Sequence, residues 1–167
     1  MSRRTEDDAT ERLATAVLAA CRAAGLMTVT AESCTGGLVS AALTAIAGSS
    51  DVVDRGFVTY TNEAKQEMLD VPATILAAHG AVSAETAQAM AEGALRHSRA
   101  AISVSVTGIA GPGGATSDKP VGLVHFAAKR GERLVLREER FGAIGRDEVR
   151  HRSVLVALEL LLTLARG

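Results

Sequence analysis

The chain has 167 residues, a length that suits one domain able to bury most of its apolar surface without disulfide or metal staples. A formal net charge of -1 and a pI near 6.4 exclude the dense Lys/Arg face that displaces counterions from a nucleic acid. No run of about 18 apolar residues is available to span a bilayer, so neither nucleic acid nor membrane is expected as a partner. Aromatic residues make up only 2%, with no Trp and one Tyr, so the core must come from Ala, Val, Leu and Ile, and the lone Tyr60 stands out. Cys21 and Cys34 form neither a CxxC nor a disulfide framework, and the start Ser2-Arg-Arg-Thr-Glu-Asp-Asp8 lacks a signal-peptide run. A soluble protein of the reducing cytoplasm is expected, a single domain over 1–167 with 1–9 as a mobile extension.

Leu13, Val17, Cys21 and Ala24 recur at helical spacing, and Gly25 is placed to end that helix at C′. Residues 26–31 read as a buried strand. Thr35-Gly-Gly37 then opens a helix whose apolar positions Leu38, Ala41, Ala42, Ala45 and Ile46 run toward Gly48, a strand-loop-helix unit hinged at Ser33. Residues 56–60 have strand composition, residues 62–69 a short helix capped by Thr61 or Asn62, and Pro72 starts a helical piece ending at Gly80. Ser83 caps a helix to about Ser98 with Ala87, Met90, Ala91, Ala94 and Leu95 inward. A strand over 101–106 precedes a second glycine loop, Thr107-Gly-Ile-Ala-Gly-Pro-Gly-Gly114. Residues 121–129 and 133–141 then flank Arg130-Gly-Glu132 as an antiparallel hairpin with a three-residue turn. A long helix over 147–165 closes the chain. The sheet is therefore mixed.

The two glycine loops follow strand ends and could face one crevice, with Tyr60-Thr-Asn-Glu-Ala-Lys65 between them. Helix N-termini expose unpaired N–H groups, so Thr35-Gly36-Gly37 suits a phosphate or a developing oxyanion; the same residues also suit a plain tight turn. A serine nucleophile needs a base, and His79, His97, His125 and His151 offer no Ser-His-Asp arrangement. Lys65 is the other candidate base if burial removes its proton; otherwise it is a solvated helix residue. Cys34 is either a thiolate at a helix start or, as preferred here, a small core residue. Glu32 could orient the lysine or a substrate hydroxyl, or pair with Arg55. Arg146 and Arg150, four residues apart, could clamp a phosphate or form a solvated helix face. No spacing of His, Cys or carboxylates suits a metal, and the second loop lacks the Lys-Ser/Thr of a P-loop, so no metal or cofactor is expected.

Five ordered motifs carry a resemblance: Ala31-Glu-Ser-Cys-Thr-Gly-Gly37, Ala47-Gly-Ser-Ser50, Gly56-Phe-Val-Thr-Tyr-Thr-Asn-Glu-Ala-Lys65, Gly80-Ala-Val-Ser83 and Val106-Thr-Gly-Ile-Ala-Gly-Pro-Gly-Gly114. Over about residues 10–165 the chain resembles the CinA C-terminal domain family, whose characterised enzymes are nicotinamide-nucleotide amidohydrolases. The resemblance implies a three-layer α/β/α sandwich with a mixed, mostly parallel sheet. It also implies hydrolysis of the carboxamide of nicotinamide mononucleotide to nicotinate mononucleotide and ammonia, a step of pyridine nucleotide salvage. It implies a metal-free mechanism with Ser33 as nucleophile, Lys65 as base and Tyr60 beside them. Ser50 matches a family serine, and Thr107 with Gly108 in the second loop joins the backbone of the first as oxyanion candidates. Arg146 matches the arginine that follows the family's Phe-x-Gly segment near the last helix and, with Arg150, is the candidate phosphate clamp, although the surrounding Gly142-Ala-Ile-Gly-Arg146 is looser than the other motifs. Full-length relatives often carry a further N-terminal domain for which this chain has no room, so it resembles the stand-alone form. A non-catalytic nucleotide-binding protein is the alternative, and a homo-oligomer is expected from the flat alanine-rich helices and the hairpin edge.

Overall fold

A computed structural model of the protein describes residues 3–167, with side chains from Asp8 onward. Of the 1–9 stretch expected to be mobile, residues 1 and 2 lie outside the described residues and 3–9 continue the backbone of α1 (Arg3–Ala24). There follow β1 (Thr28–Glu32), α2 (Leu38–Thr44), a 3-10 turn (Ser49–Asp51), β2 (Val53–Val58), α3 (Asn62–Leu69), α4 (Ala73–His79) and α5 (Ala84–Arg96). The chain finishes with β3 (Ile102–Gly108), β4 (Leu123–Arg130), β5 (Arg133–Arg140) and α6 (Arg146–Arg166). No described helix is long and apolar enough to cross a membrane.

The sheet runs β2-β1-β3-β4-β5. β1 pairs in parallel with β2 and β3, while β4 is antiparallel to both β3 and β5, so four of the five strands share a direction and the expected mixed, mostly parallel sheet is present. α1, α2 and α6 cover one face, where Ile102, Val104 and Val106 of β3 meet Leu18, Leu158 and Leu161. α3, α4 and α5 cover the other, where Val29 and Ala31 meet Leu69, Leu76 and Met90. This is an α/β/α sandwich, its two cores separated by the period-2 alternation of the buried strands.

The α5 side of β3 is polar yet buried. Ser103 and Ser105 donate to the carbonyls of Ala91 and Ala87, at 2.9 and 2.6 Å, and Thr107 donates to Ala81 at 2.7 Å. Alanines at i and i+4 on α5 let that helix approach the strand closely enough for hydroxyl-to-backbone bonds to replace apolar contact, so the buried polar atoms stay paired. Gly93 serves the same closeness on the other side of α5, since a Cβ there would stand 2.0 Å from the Leu69 carbonyl.

Several local expectations hold. Thr61 and Ser83 cap α3 and α5 by accepting from the N–H groups of Ala64 and Thr86, and Gly25 ends α1 at φ 66. Two do not. The hairpin turn has two residues, because Arg130 pairs with Arg133 directly and Gly131, at φ 57, supplies the positive φ that a tight turn needs. The buried side of α2 is rotated from the expected one: Val39 and Leu43 are fully buried, Ala42 and Ile46 pack partly against the same core, and Leu38, Ala41 and Ala45 are exposed along an open groove of about 580 Å3 against α1 and α6.

Candidate active site

β1 and β3 end side by side, Glu32 opposite Val106, and Ser33 continues off β1 with its N–H still bonded to the Val106 carbonyl at 2.9 Å. The crevice outside these strand ends is where an open α/β sheet presents chemistry. A cleft of about 240 Å3 lies there, bounded by Ser33, Tyr60, Lys65, Ala81 and Val82, the second glycine loop and Arg146.

Lys65 arrives from α3. After β2 the chain turns through Thr59 and Tyr60, and Thr61 starts the helix, so Lys65 lies one turn in with its side chain directed back over the N-terminus. Its Nζ donates to the carbonyls of Thr59 at 2.8 Å and Tyr60 at 3.1 Å and stands 3.0 Å from Ser33 Oγ. The side chain is 0% exposed, and burial away from water pushes the ammonium down from its ordinary value to about 8. Among the described residues its partners are two carbonyls and a hydroxyl, with no counter-anion.

Glu32, also 0% exposed, faces the opposite side of β1. Its carboxylate accepts from Thr35 Oγ1 at 2.7 Å, the Val39 N–H at 2.8 Å, the Ser40 N–H at 3.0 Å and Thr30 Oγ1 at 3.3 Å. It touches neither Lys65 nor Arg55, which pairs with Asp54. The anion suited to the start of α2 is thus the protein's own, and Thr35 has its hydroxyl committed to that carboxylate. Gly36 and Gly37, at φ 57 and 101, shape the turn, with the Gly36 N–H closing onto the Ser33 carbonyl at 3.0 Å.

Cys34 is buried, and desolvation pushes its thiol up to about 12, so it carries a proton at neutral pH. Thr107 and Gly108 line the cleft, but the Thr107 hydroxyl proton goes to the Ala81 carbonyl and braces the wall. Gly108 permits close strand approach, since a Cβ would fall 2.7 Å from Val124. Arg146 reaches the Gly111 carbonyl at 2.9 Å and the hydroxyl of the exposed Tyr60 at 3.2 Å, closing a bridge across the mouth.

Like Glu32, Thr35, Gly36 and Gly37, two further expected residues do not line the cleft. Ser50 sits in the 3-10 turn before β2, at the end of the sheet opposite Ser33. Arg150 does not enter the cleft; its guanidinium faces the groove between α1, α2 and α6 and holds the carbonyls of Cys34 and Thr35. The backbone acceptors of Lys65 and the Ala81–Val82 wall had no chemical side chain to announce them. In the sequence Gly80 and Ser83 mark helix ends, and neither they nor the motif that joins them marks Ala81 and Val82 as a wall of the cleft.

The family model for the CinA C-terminal domain matches residues 10–165. A CinA-like protein of Synechococcus sp. (strain RCC307) is 50% identical over 152 residues, which are 90% of this chain and 36% of the relative. One from Mycobacterium sp. (strain JLS) is 52% identical over 139 residues, 83% of this chain and 33% of the relative. The chain therefore spans about a third of the length of the curated relatives it matches. Among solved structures, the competence/damage inducible protein CihA from Agrobacterium tumefaciens superposes with a TM-score of 0.92 at 55% identity, covering 93% of this chain and 95% of that one. The competence damage-inducible protein A (ComA) from Klebsiella pneumoniae gives 0.88 at 38%, covering 92% and 95%. Matched by that family model over nearly its whole length, and sharing its fold with these proteins, the chain belongs to the CinA C-terminal domain family.

Proposed function

We propose that the protein hydrolyses the carboxamide of nicotinamide mononucleotide to nicotinate mononucleotide and ammonia, with Ser33 as nucleophile and Lys65 as general base. The observation that carries this reading is the buried contact of Lys65 with Ser33, with no counter-anion among the described residues. A neutral amine has two N–H bonds and one lone pair. The carbonyls of Thr59 and Tyr60 can only accept, so they take both N–H bonds and leave the lone pair for the Ser33 hydroxyl proton. With its pKa near 8, about a tenth of Lys65 is neutral at pH 7.

In the first step Ser33 Oγ bonds to the amide carbon, its proton passes to Lys65 Nζ, and the carbonyl π pair moves onto oxygen. Collapse breaks the C–N bond as Lys65 returns the proton to the departing nitrogen, which leaves as ammonia. Water then attacks the ester, giving its proton to Lys65 and restoring Ser33. The start of α2 is filled by Glu32, so the oxyanion donors in this scheme are the Cys34 N–H and the N–H groups of Ala110, Gly111, Gly113 and Gly114; one such donor is worth about 10²- to 10³-fold. Arg146, the exposed cation of a cleft without a described acidic residue, faces the phosphate of the substrate. The family resemblance supports the pyridine mononucleotide as substrate and pyridine nucleotide salvage in the cytoplasm as setting.

Purified protein incubated with nicotinamide mononucleotide should release ammonia and nicotinate mononucleotide in equal amounts, and folded Ser33→Ala should release neither. Wild-type turnover in folded Ser33→Ala would remove the nucleophile. Calorimetric binding of the nucleotide by the wild type without product would make this a binding protein.

A further inference from the structure

The geometry points to Arg150 as a positioning residue for the nucleophile loop, acting through the backbone of Cys34 and Thr35 and not through the substrate. The inference rests on the serine-hydrolase reading of the cleft. Arg150 Nε donates to the Cys34 carbonyl at 3.1 Å, Nη2 stands 3.5 Å from the Thr35 carbonyl, and a Cβ on Gly36 would lie 3.6 Å from the same Nη2. The guanidinium edge that carries Nε and Nη2 therefore faces the turn that follows Ser33, reaching it from a helix 116 residues away in the chain.

Peptide units are rigid planes, so fixing a carbonyl fixes the N–H of the next residue on the opposite side. The Thr35 carbonyl shares its plane with the Gly36 N–H, and that N–H bonds the Ser33 carbonyl at 3.0 Å. The Ser33 carbonyl in turn shares its plane with the Cys34 N–H, the oxyanion donor that directly follows the nucleophile. Arg150 thus holds, through two peptide planes joined by that hydrogen bond, the direction of that donor and the exit of the chain from Ser33. From the other side Glu32 fixes the same loop through Thr35 Oγ1. Two glycines at positive φ make the turn easy to reshape, so the loop needs a restraint on each side. A misplacement of about 1 Å can cost 10²-fold in rate.

The test separates positioning from binding. In Arg150→Gln, kcat for deamidation of nicotinamide mononucleotide should fall about 10- to 100-fold while KM moves less than about threefold. Arg150→Lys, which keeps one donor to a loop carbonyl, should recover part of the rate. A fluorophosphonate probe reads the same loop without the amide: Ser33 Oγ bonds to phosphorus, fluoride leaves, and the hydroxyl proton goes to Lys65. Labelling of Arg150→Gln should slow in step with kcat. Unchanged kcat and labelling in this variant would overturn the proposal, as would a rise in KM at constant kcat, which would place Arg150 on the substrate. A wild-type protein that neither labels nor turns over would overturn the hydrolase reading itself.

Discussion

Glu32 and Lys65 are both wholly buried and flank the same serine, yet the fold treats them oppositely. Glu32 meets four donors, two of them helix N–H groups, so its acceptor demand is met within the protein and it holds the loop. Lys65 meets two carbonyls and one hydroxyl, with no anion among the described residues, and burial lowers its affinity for a proton. A buried charged group with complete partners makes a scaffold. One with partners that suit its neutral form makes a base.

Removing Lys65 tests that contrast most severely. Lys65→Met should lower deamidation by at least about 10³-fold with its circular dichroism spectrum intact, and Lys65→Arg should do likewise because a guanidinium stays protonated. Residual turnover near wild type in either variant would end the role of Lys65 as base. Glu32→Ala should instead act on stability, by about 3–5 kcal/mol in urea unfolding, since it strands the Val39 and Ser40 N–H groups. A loss below about 1 kcal/mol would show that Glu32 is not the scaffold described.

The pH dependence sharpens the comparison further. The rate should climb about tenfold per pH unit below about 8 and level off above it, as Lys65 loses its proton. The same depressed pKa makes the unfolded chain bind more protons between about 8 and the ordinary lysine value of 10.5, so stability rises with pH through that window. The cost, about 3 kcal/mol, is present in full below 8, and Lys65→Met should lack this slope in unfolding measured across the window. At the small end, Glu148→Gln, which breaks an exposed i,i+4 pair with Arg152, should change stability by no more than about 0.5 kcal/mol.

Much of the architecture was legible from local rules. Thr61, Ser83 and Gly25 mark helix ends through their own side chains or lack of one, and the hairpin needs only Gly131 and alternating strands. The face of α2 was not legible, because alanine is equally at home inside and out. The densest apolar stripe pointed to Leu38, Ala41 and Ala45, whereas the bonds from Glu32 to the start of the helix and the fit of Val39 and Leu43 into the core set its rotation. Ser33 and Lys65 could be singled out from their motifs; Ser50 and Arg150, singled out on similar grounds, lie away from the cleft.

By itself the sequence determined the elements, the two glycine turns and the identity of a serine and a lysine able to react, because these depend on residue type and near neighbours. Only the tertiary structure decided that Lys65 is buried against two carbonyls and a hydroxyl, that Glu32 fills the helix start and that Arg150 grips the loop from behind. Lys65 meets Ser33 across 32 residues and Arg150 meets Cys34 across 116, and although Glu32 bonds residues within eight of it, its burial, like theirs, comes from packed segments, because no local pattern encodes the solvent a side chain will lose.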